Sequence, residues 1–209
     1  MNLTNLADIR ALLARHDFRF SKSLGQNFLT AAWVPADIAD ASGADAGTGV
    51  LEVGPGIGCL TEQLAQRAGK VVSVELDERL RPVLAETLAG YENVELVFGD
   101  VLALDLPQLV AERFPGLRPV VCANLPYYIT SPVIMKLLED RLPITSITVM
   151  VQKEAAERLC AQPGTRECGA VSAAVQYYAE PEILFEVSRG SFMPAPNVDS
   201  AVIQLRIRK

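Results

Sequence analysis

The chain has 209 residues, of which 50 % are apolar, 6 % aromatic and 21 % charged, with 19 basic and 25 acidic residues. This apolar content excludes intrinsic disorder, and the length suits one α/β domain that buries a full core. The formal net charge of −6 argues against indiscriminate binding to nucleic acid.

The first predicted element is a helix over residues 4–15, because apolar residues recur there at helical spacing. The segment has an acidic residue within its apolar pattern, so it does not read as a secretory signal. Residues 18–29 show no period and are predicted to form a loop. Thr30 is then predicted to cap a helix that continues to about Ser42 and stops at Gly43.

From residue 50 onward, short apolar runs alternate with helical patterns. The predicted strands are residues 50–53, 71–74, 94–98, 119–123, 144–151, 183–187 and 198–207. The predicted helices are residues 60–68, 78–88 (capped by Asp77), 106–114, 131–138, 153–161 and 170–178. This alternation predicts a mostly parallel, doubly wound α/β sheet covered on both faces. Only a short loop separates the last two strands, so they are predicted to pair antiparallel.

Cysteine usage and hydropathy indicate the compartment. Four cysteines show neither C-x-x-C pairing nor a neighbouring histidine cluster: Cys59, Cys122, Cys160 and Cys168. A zinc site or disulfide framework is therefore not expected. A reducing, cytoplasmic location is expected instead. No apolar run approaches the roughly 20 residues that a membrane span needs.

A glycine-rich turn, with Gly54, Gly56 and Gly58, follows the first of these strands and precedes a helix. Glycines at such a turn let the backbone approach a ligand closely. The dinucleotide fingerprint requires its third glycine where this chain has Cys59, and Pro55 removes an N–H that a pyrophosphate would use. The spacing therefore disfavours an NAD-dependent dehydrogenase.

Acidic residues end the next two strands. Glu75 lies about twenty residues after the glycine turn, where a carboxylate can accept both hydroxyls of a ribose. Asp100 follows the third strand, where it can accept from an adenine amine. Each acid alone could simply end a strand, but together they mark the ligand crevice of an open α/β sheet. With Glu52 nearby, acidic surroundings favour a cationic adenosyl ligand, S-adenosylmethionine.

The segment Asn124-Leu-Pro-Tyr127 follows the fourth strand. Pro126 fixes the backbone, so that the Asn124 side chain and the Leu125 carbonyl can face one point. Two acceptors suit an exocyclic NH2 group, and Tyr127 offers a face on which a base can stack. An asparagine cap, a proline turn and a buried tyrosine would explain the segment without chemistry. Its position one strand after Asp100 favours transfer of a methyl group to an adenine N6.

In this order the motifs resemble those of the ribosomal RNA adenine N6-dimethyltransferases, the small-subunit type in particular. The matching segments are Gln26-Asn-Phe-Leu29, Glu52-Val-Gly-Pro-Gly-Ile-Gly58, Glu75, Gly99-Asp100, Asn124-Leu-Pro-Tyr127 and Phe192-x-Pro194-x-Pro196-x-Val198-x-Ser200. The resemblance covers essentially the whole chain. It implies a Rossmann-like class I methyltransferase fold with a seven-stranded sheet. It also implies transfer of two methyl groups to each of two adjacent adenines near the 3′ end of small-subunit rRNA, during ribosome assembly.

The resemblance assigns roles to individual residues. Asn27 and Leu29 are expected to contact the methionine end of S-adenosylmethionine, and Phe192 to pack on the flipped base opposite Tyr127. The expected catalytic residues are Asn124, Leu125, Pro126, Tyr127 and Phe192. The expected cofactor contacts are Asn27, Leu29, Gly54, Gly56, Glu75, Leu76, Asp100, Val101 and Asn124. We expect a monomer without metal ligands or a membrane partner, bound to small-subunit rRNA within an assembling subunit.

The domain organisation expected is one methyltransferase domain over residues 1–209, with residues 1–30 as an N-terminal helix and a cofactor and RNA loop. Members of the family that the chain resembles usually continue past the last strand into a small helical domain. That C-terminal domain is expected to be absent from residues 1–209. Basic residues near both ends either contact RNA or form solvated faces: Arg10, Arg15, Arg19, Lys22, Arg206, Arg208 and Lys209.

Three other functions share parts of this pattern. A non-catalytic rRNA-binding assembly factor could use the same fold, although every methyl-transfer motif is kept. A large-subunit rRNA adenine methylase or a DNA adenine methylase would share the chemistry. Methyl transfer to isolated small or large ribosomal subunits discriminates between these functions.

Overall fold

The computed structural model describes residues 1–21 and 23–209; Lys22, one of the basic residues expected either to contact RNA or to form a solvated face, lies outside the described residues. The strands are β1 (Phe28–Leu29), β2 (Thr48–Val53), β3 (Lys70–Glu75), β4 (Val94–Phe98), β5 (Arg118–Asn124), β6 (Ser146–Gln152), β7 (Ala179–Val187), β8 (Phe192–Met193) and β9 (Ser200–Ile207). The helices are α1 (Leu6–Arg15), α2 (Trp33–Ala41), α3 (Cys59–Ala65), α4 (Arg81–Thr87), α5 (Leu106–Arg113), α6 (Thr130–Glu139), α7 (Lys153–Leu159) and α8 (Ala170–Tyr178).

The main sheet of the described residues has the strand order β4-β3-β2-β5-β6-β9-β7. Neighbours from β4 to β6 are parallel, and β9 runs antiparallel between β6 and β7. The predicted doubly wound sheet with an antiparallel final strand is confirmed. The chain turns from one half of the sheet to the other between β2 and β5. Open α/β sheets bind ligands beyond the carboxyl ends of the strands at such a reversal.

Helices cover both faces of the sheet and define two cores. One core packs α1 to α4 against the sheet, and the other packs α5 to α8 against the opposite face. Side chains of β2 alternate between them, with Val50 in the first core and Leu51 and Val53 in the second. Each leucine buried in this way contributes roughly 1.5–3 kcal/mol to stability. The rigid sheet thereby fixes the positions of the loops at its carboxyl edge.

A second, two-stranded ribbon joins distant parts of the chain. Leu29 of β1 pairs antiparallel with Phe192 of β8, and the Thr30 amide donates to the Ser191 carbonyl at 2.8 Å. The predicted loop over residues 18–29 therefore ends in a strand. The predicted cap at Thr30 is wrong: α2 begins at Trp33 and its N-cap, Ala32, makes no side-chain hydrogen bond. The hydrogen bond to Ser191 continues the ribbon contacts to Thr30, and sequence periodicity does not reveal that long-range pairing.

Asp77 is an N-cap as predicted, but of a short turn that precedes the helix and not of the helix itself. Its side chain accepts a hydrogen bond from the Arg79 amide, but the turn that it caps is a 3-10 turn over Glu78–Leu80, and α4 follows. In the described part of the chain, no helix combines the length and the apolar character needed to cross a membrane.

Candidate active site

A cleft of about 320 Å³ opens beyond the carboxyl ends of β2, β3, β4 and β5, at the reversal of strand order. Its walls include every residue that the sequence singled out as catalytic or cofactor-binding: Asn27, Leu29, Gly54, Gly56, Glu75, Leu76, Asp100, Val101, Asn124, Leu125, Pro126, Tyr127 and Phe192. Residues separated by up to 165 positions along the chain, from Asn27 to Phe192, thus meet in one cavity.

The glycine turn forms one wall of the cleft. Gly54 and Gly56 have φ angles of 72° and 59°, in the left-handed region that L side chains rarely adopt. A Cβ atom on Gly54 would lie 3.6 Å from Pro126 Cδ, and one on Gly56 would lie 3.4 Å from a ring carbon of Phe28. The Gly54 amide donates to the Val74 carbonyl at 2.9 Å, which ties the turn to β3. The turn therefore presents bare backbone between the Asn124 segment and the N-terminal loop.

Glu75, at the end of β3, is a buried acceptor in the cleft. Its carboxylate accepts from the Gly56 amide at 3.3 Å and from the Asp77 amide at 2.9 Å. Burial raises the pKa of Glu75 to about 7, against the opposing effect of these two hydrogen bonds. A ligand that donates hydroxyls or carries positive charge would favour the ionised form. This environment fits the ribose of an adenosyl cation.

Glu52 is a second buried carboxyl group beside the same cleft, 1 % exposed. The hydroxyls of Thr61 and Ser73 both donate to its Oε2 atom at 2.6 Å. Burial raises the pKa of Glu52 to about 7, with a further contribution from the negative charge of Glu75. Glu52 therefore links β2 to α3 and β3, and its raised pKa keeps this carboxyl group below the glycine turn protonated under mildly acidic conditions.

The end of β4 supplies the remaining acid of the cleft. Asp100 is exposed, and its Oδ1 atom accepts from the Leu102 amide at 2.9 Å. Val101 is buried beside it, whereas Leu76, after Glu75, is about half exposed. Val101 and Leu76 give apolar surface next to the carboxyl groups of Asp100 and Glu75. A purine ring with a polar edge requires this combination.

The N-terminal loop closes the cleft on one side and is held by polar contacts that the sequence does not reveal. Gln26 Nε2 donates to Asp77 Oδ2 at 2.6 Å, and the same carboxylate accepts from the guanidinium of Arg79. The Asn27 side chain donates to the Gly25 carbonyl at 3.1 Å. Asp77 sits two residues after Glu75, so these contacts join the loop to the strand end that carries the buried acceptor.

The last residue of β5, Asn124, has a side chain that is available to a ligand. In residues 1–21 and 23–209, no hydrogen bond involves the Asn124 side chain, which lines the cleft. The segment itself is well anchored: the Leu125 amide donates to the Met150 carbonyl at 3.1 Å, and Thr130 Oγ1 donates to the Pro126 carbonyl at 3.3 Å. An anchored backbone with an uncommitted amide is suited to accept a hydrogen bond from an exocyclic amine.

Two aromatic residues flank this segment. Tyr127 is half-buried and its hydroxyl lies 2.5 Å from the hydroxyl of Ser200. Burial raises the pKa of Tyr127, so its phenol stays protonated near neutral pH. Phe192 is buried and belongs to β8, opposite Leu29. The contact with Ser200 was not predicted, although Ser200 closes the last of the quoted motifs.

Tyr128 is a further aromatic residue of the cleft that sequence reasoning missed. It is about half exposed, and a Cβ atom on Gly25 would lie 3.4 Å from its ring. The pKa of Tyr128 is raised by partial burial and by the negative charges of Glu75 and Asp100. The tyrosine doublet at 127 and 128 was the available signal, and both rings line the cleft.

The acceptor groups of the cleft fit S-adenosylmethionine better than a dinucleotide. Carboxyl groups surround the glycine turn, which favours a cation and disfavours phosphates. Among the residues that the structure describes, no group of three or more histidine, cysteine, aspartate or glutamate side chains could hold a metal ion. The two buried carboxyl groups and the bare backbone therefore remain for an adenosyl ligand.

Comparison with known proteins agrees with this geometry. A family described as ribosomal RNA adenine dimethylase matches residues 17–209. The chain is 54 % identical to a ribosomal RNA small subunit methyltransferase A from Geobacillus thermodenitrificans, over 95 % of this chain and 68 % of the relative.

Two solved structures are similar in sequence as well as fold. The 23S rRNA methyltransferase ErmE is 34 % identical with a TM-score of 0.75, over 87 % of this chain and 70 % of that one. A dimethyladenosine transferase from Plasmodium falciparum is 31 % identical with a TM-score of 0.75, over 86 % of this chain and 63 % of that one.

Proposed function

Because the chain belongs to the ribosomal RNA adenine dimethylase family, we propose that it methylates two adjacent adenines near the 3′ end of small-subunit rRNA, at N6 and twice each. The enzyme is an S-adenosylmethionine-dependent rRNA adenine dimethyltransferase. One observation carries the assignment of its site: the uncommitted Asn124 side chain lies in the same cleft as the glycine turn and the buried Glu75.

The cofactor side of the cleft is assigned by chemistry. S-adenosylmethionine supplies an electrophilic methyl group on a positively charged sulfur. We propose that Glu75 binds the ribose hydroxyls and that Asp100 and Val101 contact the adenine. The bare backbone of Gly54 and Gly56 lets the cofactor approach the turn closely. The remaining contacts, from the N-terminal loop and the strand ends, are assigned to Asn27, Leu29, Leu76 and Asn124.

The substrate side must activate an amine that is a poor nucleophile, because its lone pair is delocalised into the purine ring. In the proposed site, the Asn124 side chain and the Leu125 carbonyl accept the two N6 hydrogens. These contacts favour a pyramidal nitrogen whose lone pair points at the methyl group. Pro126 holds the two acceptors in place, and Tyr127 and Phe192 clamp the ring.

Positioning and exclusion of water are the main contributions of the protein. In the transfer, the S–CH3 bond of a bound S-adenosylmethionine would break as the N–CH3 bond forms, with a neutral thioether as the leaving group and the positive charge passing to N6, so that no strong base would be needed in that step. The phenol of Tyr127 has a raised pKa and a hydrogen-bond partner, and it does not serve as that base. The amine proton is lost to solvent once the nitrogen carries the new methyl group.

Several wider features belong to the same proposal. Residues 1–209 act as one methyltransferase domain, with residues 1–30 forming the N-terminal helix and the cofactor and RNA loop. The protein works as a monomer in the cytoplasm, on rRNA within an assembling small subunit. Support for a reducing compartment comes from the four cysteines, all of which are free thiols within the described residues.

A large-subunit target is the second candidate, since the 23S rRNA methyltransferase ErmE shares the fold at 34 % identity. The small-subunit relatives are more similar, at 54 % identity over 95 % of this chain. The test is incorporation of a labelled methyl group into small and large subunits that lack these modifications, followed by mapping of the product.

We expect N6,N6-dimethyladenosine at two adjacent positions in the small subunit and none in the large. Label in the large subunit alone would support the second candidate. No label in either, with intact S-adenosylmethionine binding, would support a non-catalytic assembly factor.

A further inference from the structure

The contact between Tyr127 and Ser200 joins the two segments that form the substrate side of the cleft. Their hydroxyl oxygens lie 2.5 Å apart, although the residues are 73 positions apart in the chain. Ser200 is 0 % exposed, so its hydroxyl has no access to solvent. A buried hydroxyl needs a hydrogen-bond partner, and in the described part of the structure Tyr127 is the partner it has.

Ser200 is a rigid anchor for this contact. It is the first residue of β9, and it pairs with Gln152 of β6 on one side and with Val187 of β7 on the other. The preceding carbonyl, of Asp199, accepts from the Lys153 amide at 3.0 Å. Strand neighbours on both sides therefore hold the Ser200 hydroxyl in position.

The side chain of Tyr127, unlike its anchored backbone, is held less firmly than Ser200. It begins a short 3-10 turn that follows Pro126 and has no side-chain cap. Its side chain is only half-buried, and one face of it borders the cleft. Without the contact to Ser200, the ring could rotate about its Cα–Cβ bond toward the open cleft.

We propose that Ser200 is a positioning residue for methyl transfer, because its hydroxyl fixes the orientation of the Tyr127 ring against which the target adenine stacks. This inference rests on the proposed function. Phe192, the other ring of the proposed clamp, lies eight residues before Ser200 in the chain and lines the same cleft as Tyr127. Tyr127 acts through its ring, and its hydroxyl serves to orient that ring.

The proposal predicts that either end of the hydrogen bond can be removed with the same result. In Ser200→Ala and in Tyr127→Phe, the ring remains but its orientation is released. Small errors in the placement of a reacting group are costly, so we expect about tenfold lower kcat/KM for rRNA in each variant. Because both changes remove one contact, the double variant should be no slower than either single variant.

The experiment measures methyl transfer to undermethylated small subunits together with the Kd for S-adenosylmethionine. The Kd should stay within twofold of the wild-type value in all three variants, because Ser200 does not line the cleft and Tyr127, which does, is assigned to the base and not to S-adenosylmethionine. Ser42→Ala is the matched control: this serine is also buried, its hydroxyl donates to the Ala39 carbonyl at 2.6 Å, and it is not part of the cleft wall. We expect wild-type kinetics for this control.

Three results would overturn the proposal. Wild-type kcat/KM in Ser200→Ala would remove the role, and multiplicative losses in the double variant would show that the two hydroxyls act separately. An equal loss in Ser42→Ala would trace the effect to general destabilisation. Failure of the proposed function itself has a different signature, namely no N6-methyladenine product from the wild-type enzyme.

Discussion

Asn124 is a partly exposed amide at the end of a buried strand, and the proposed chemistry depends on it. Replacing it by alanine removes one of the two acceptors for the adenine amine but leaves Glu75 and the glycine turn untouched. We expect Asn124→Ala to lower kcat by at least about a hundredfold, the loss typical of a removed transition-state contact.

Calorimetry on this variant should still detect S-adenosylmethionine, with affinity reduced by no more than the one contact assigned to Asn124. Methyl transfer at the wild-type rate would contradict the assignment. Leu102→Ala provides a comparison at the cleft rim, since this side chain is 38 % exposed and the proposal gives it no role in catalysis.

Glu52 is a buried carboxyl group whose environment makes stability depend on pH. Its pKa is raised from 4.5 to about 7 in the folded protein, so the folded state retains a proton that the unfolded state has released. Stability is therefore expected to fall as pH rises from about 4.5 to 7. Glu52→Gln cannot ionise, and we expect it to gain on the order of 2 kcal/mol relative to wild type between pH 5 and pH 8.

Urea unfolding of both proteins at the two pH values measures this gain. Glu139→Gln is the control, because Glu139 is exposed on α6 and its replacement should shift stability equally at both pH values. A Glu52→Gln variant that shows no pH-dependent gain would mean that the carboxyl group is not protonated in the folded protein.

At the scale of elements, the strands of the main sheet and the helices that cover it could be predicted from the sequence, because hydrophobic periodicity is a local pattern. The strand over residues 94–98 and the helix over residues 170–178 were predicted with the observed bounds. The ribbon of β1 and β8 was not predicted, since two-residue strands carry no period and these two depend on partners 163 and 165 positions away.

The same reasoning applies to the site. Glycines, acids and the Asn124 segment could be placed at the sheet edge because each follows a strand. The contacts of Gln26 with Asp77 and of Tyr127 with Ser200 link residues 51 and 73 positions apart. Such pairs become visible only when tertiary structure brings the segments together.

The N-terminal loop is the element whose attachment should govern cofactor affinity. Gln26 binds Asp77, and Arg79 binds both Asp77 and the Arg19 carbonyl. Gln26→Ala removes the contact to Asp77 and also the hydrogen bond that Gln26 Oε1 accepts from the Ser21 amide at 2.8 Å. It should loosen the loop over the cleft and weaken S-adenosylmethionine binding by about five- to tenfold, mainly through faster dissociation. Stopped-flow fluorescence separates the two rate constants.

Asp40→Asn is the matched control. Asp40 forms an ion pair with the Arg67 guanidinium, with an N–O distance of 2.7 Å, and neither residue lines the cleft. It should leave both rate constants unchanged. An unchanged dissociation rate in Gln26→Ala would show that the loop is held without this contact.

At the scale of the whole molecule, basic residues near the two ends of the chain differ in their surroundings. Arg206 and Arg208 lie on or next to β9 and pair with Glu180 and Glu182 of β7, and Arg15 pairs with Glu86. Arg19 is exposed in the N-terminal loop, and no ion pair of the described residues includes it. The charge of Arg19 is therefore the more available for phosphate.

We expect Arg19→Ala to weaken binding of small-subunit rRNA and to lower the dependence of log K on log salt concentration by about one. Arg208→Ala should change that slope little, because its charge is already matched. Fluorescence anisotropy over a range of salt concentrations measures both. Equal slopes for the two variants would contradict this distinction.

The ribbon of β1 and β8 connects the proposed binding sites of the methyl donor and the acceptor base. Leu29, assigned to the methyl donor, is paired across it with Phe192, assigned to the acceptor base. Ordering one strand by a bound molecule lessens the entropy that the other must lose, so the two binding events should be cooperative. Thermodynamic reciprocity then requires that the factor by which S-adenosylmethionine tightens the rRNA complex equals the factor by which rRNA tightens the S-adenosylmethionine complex.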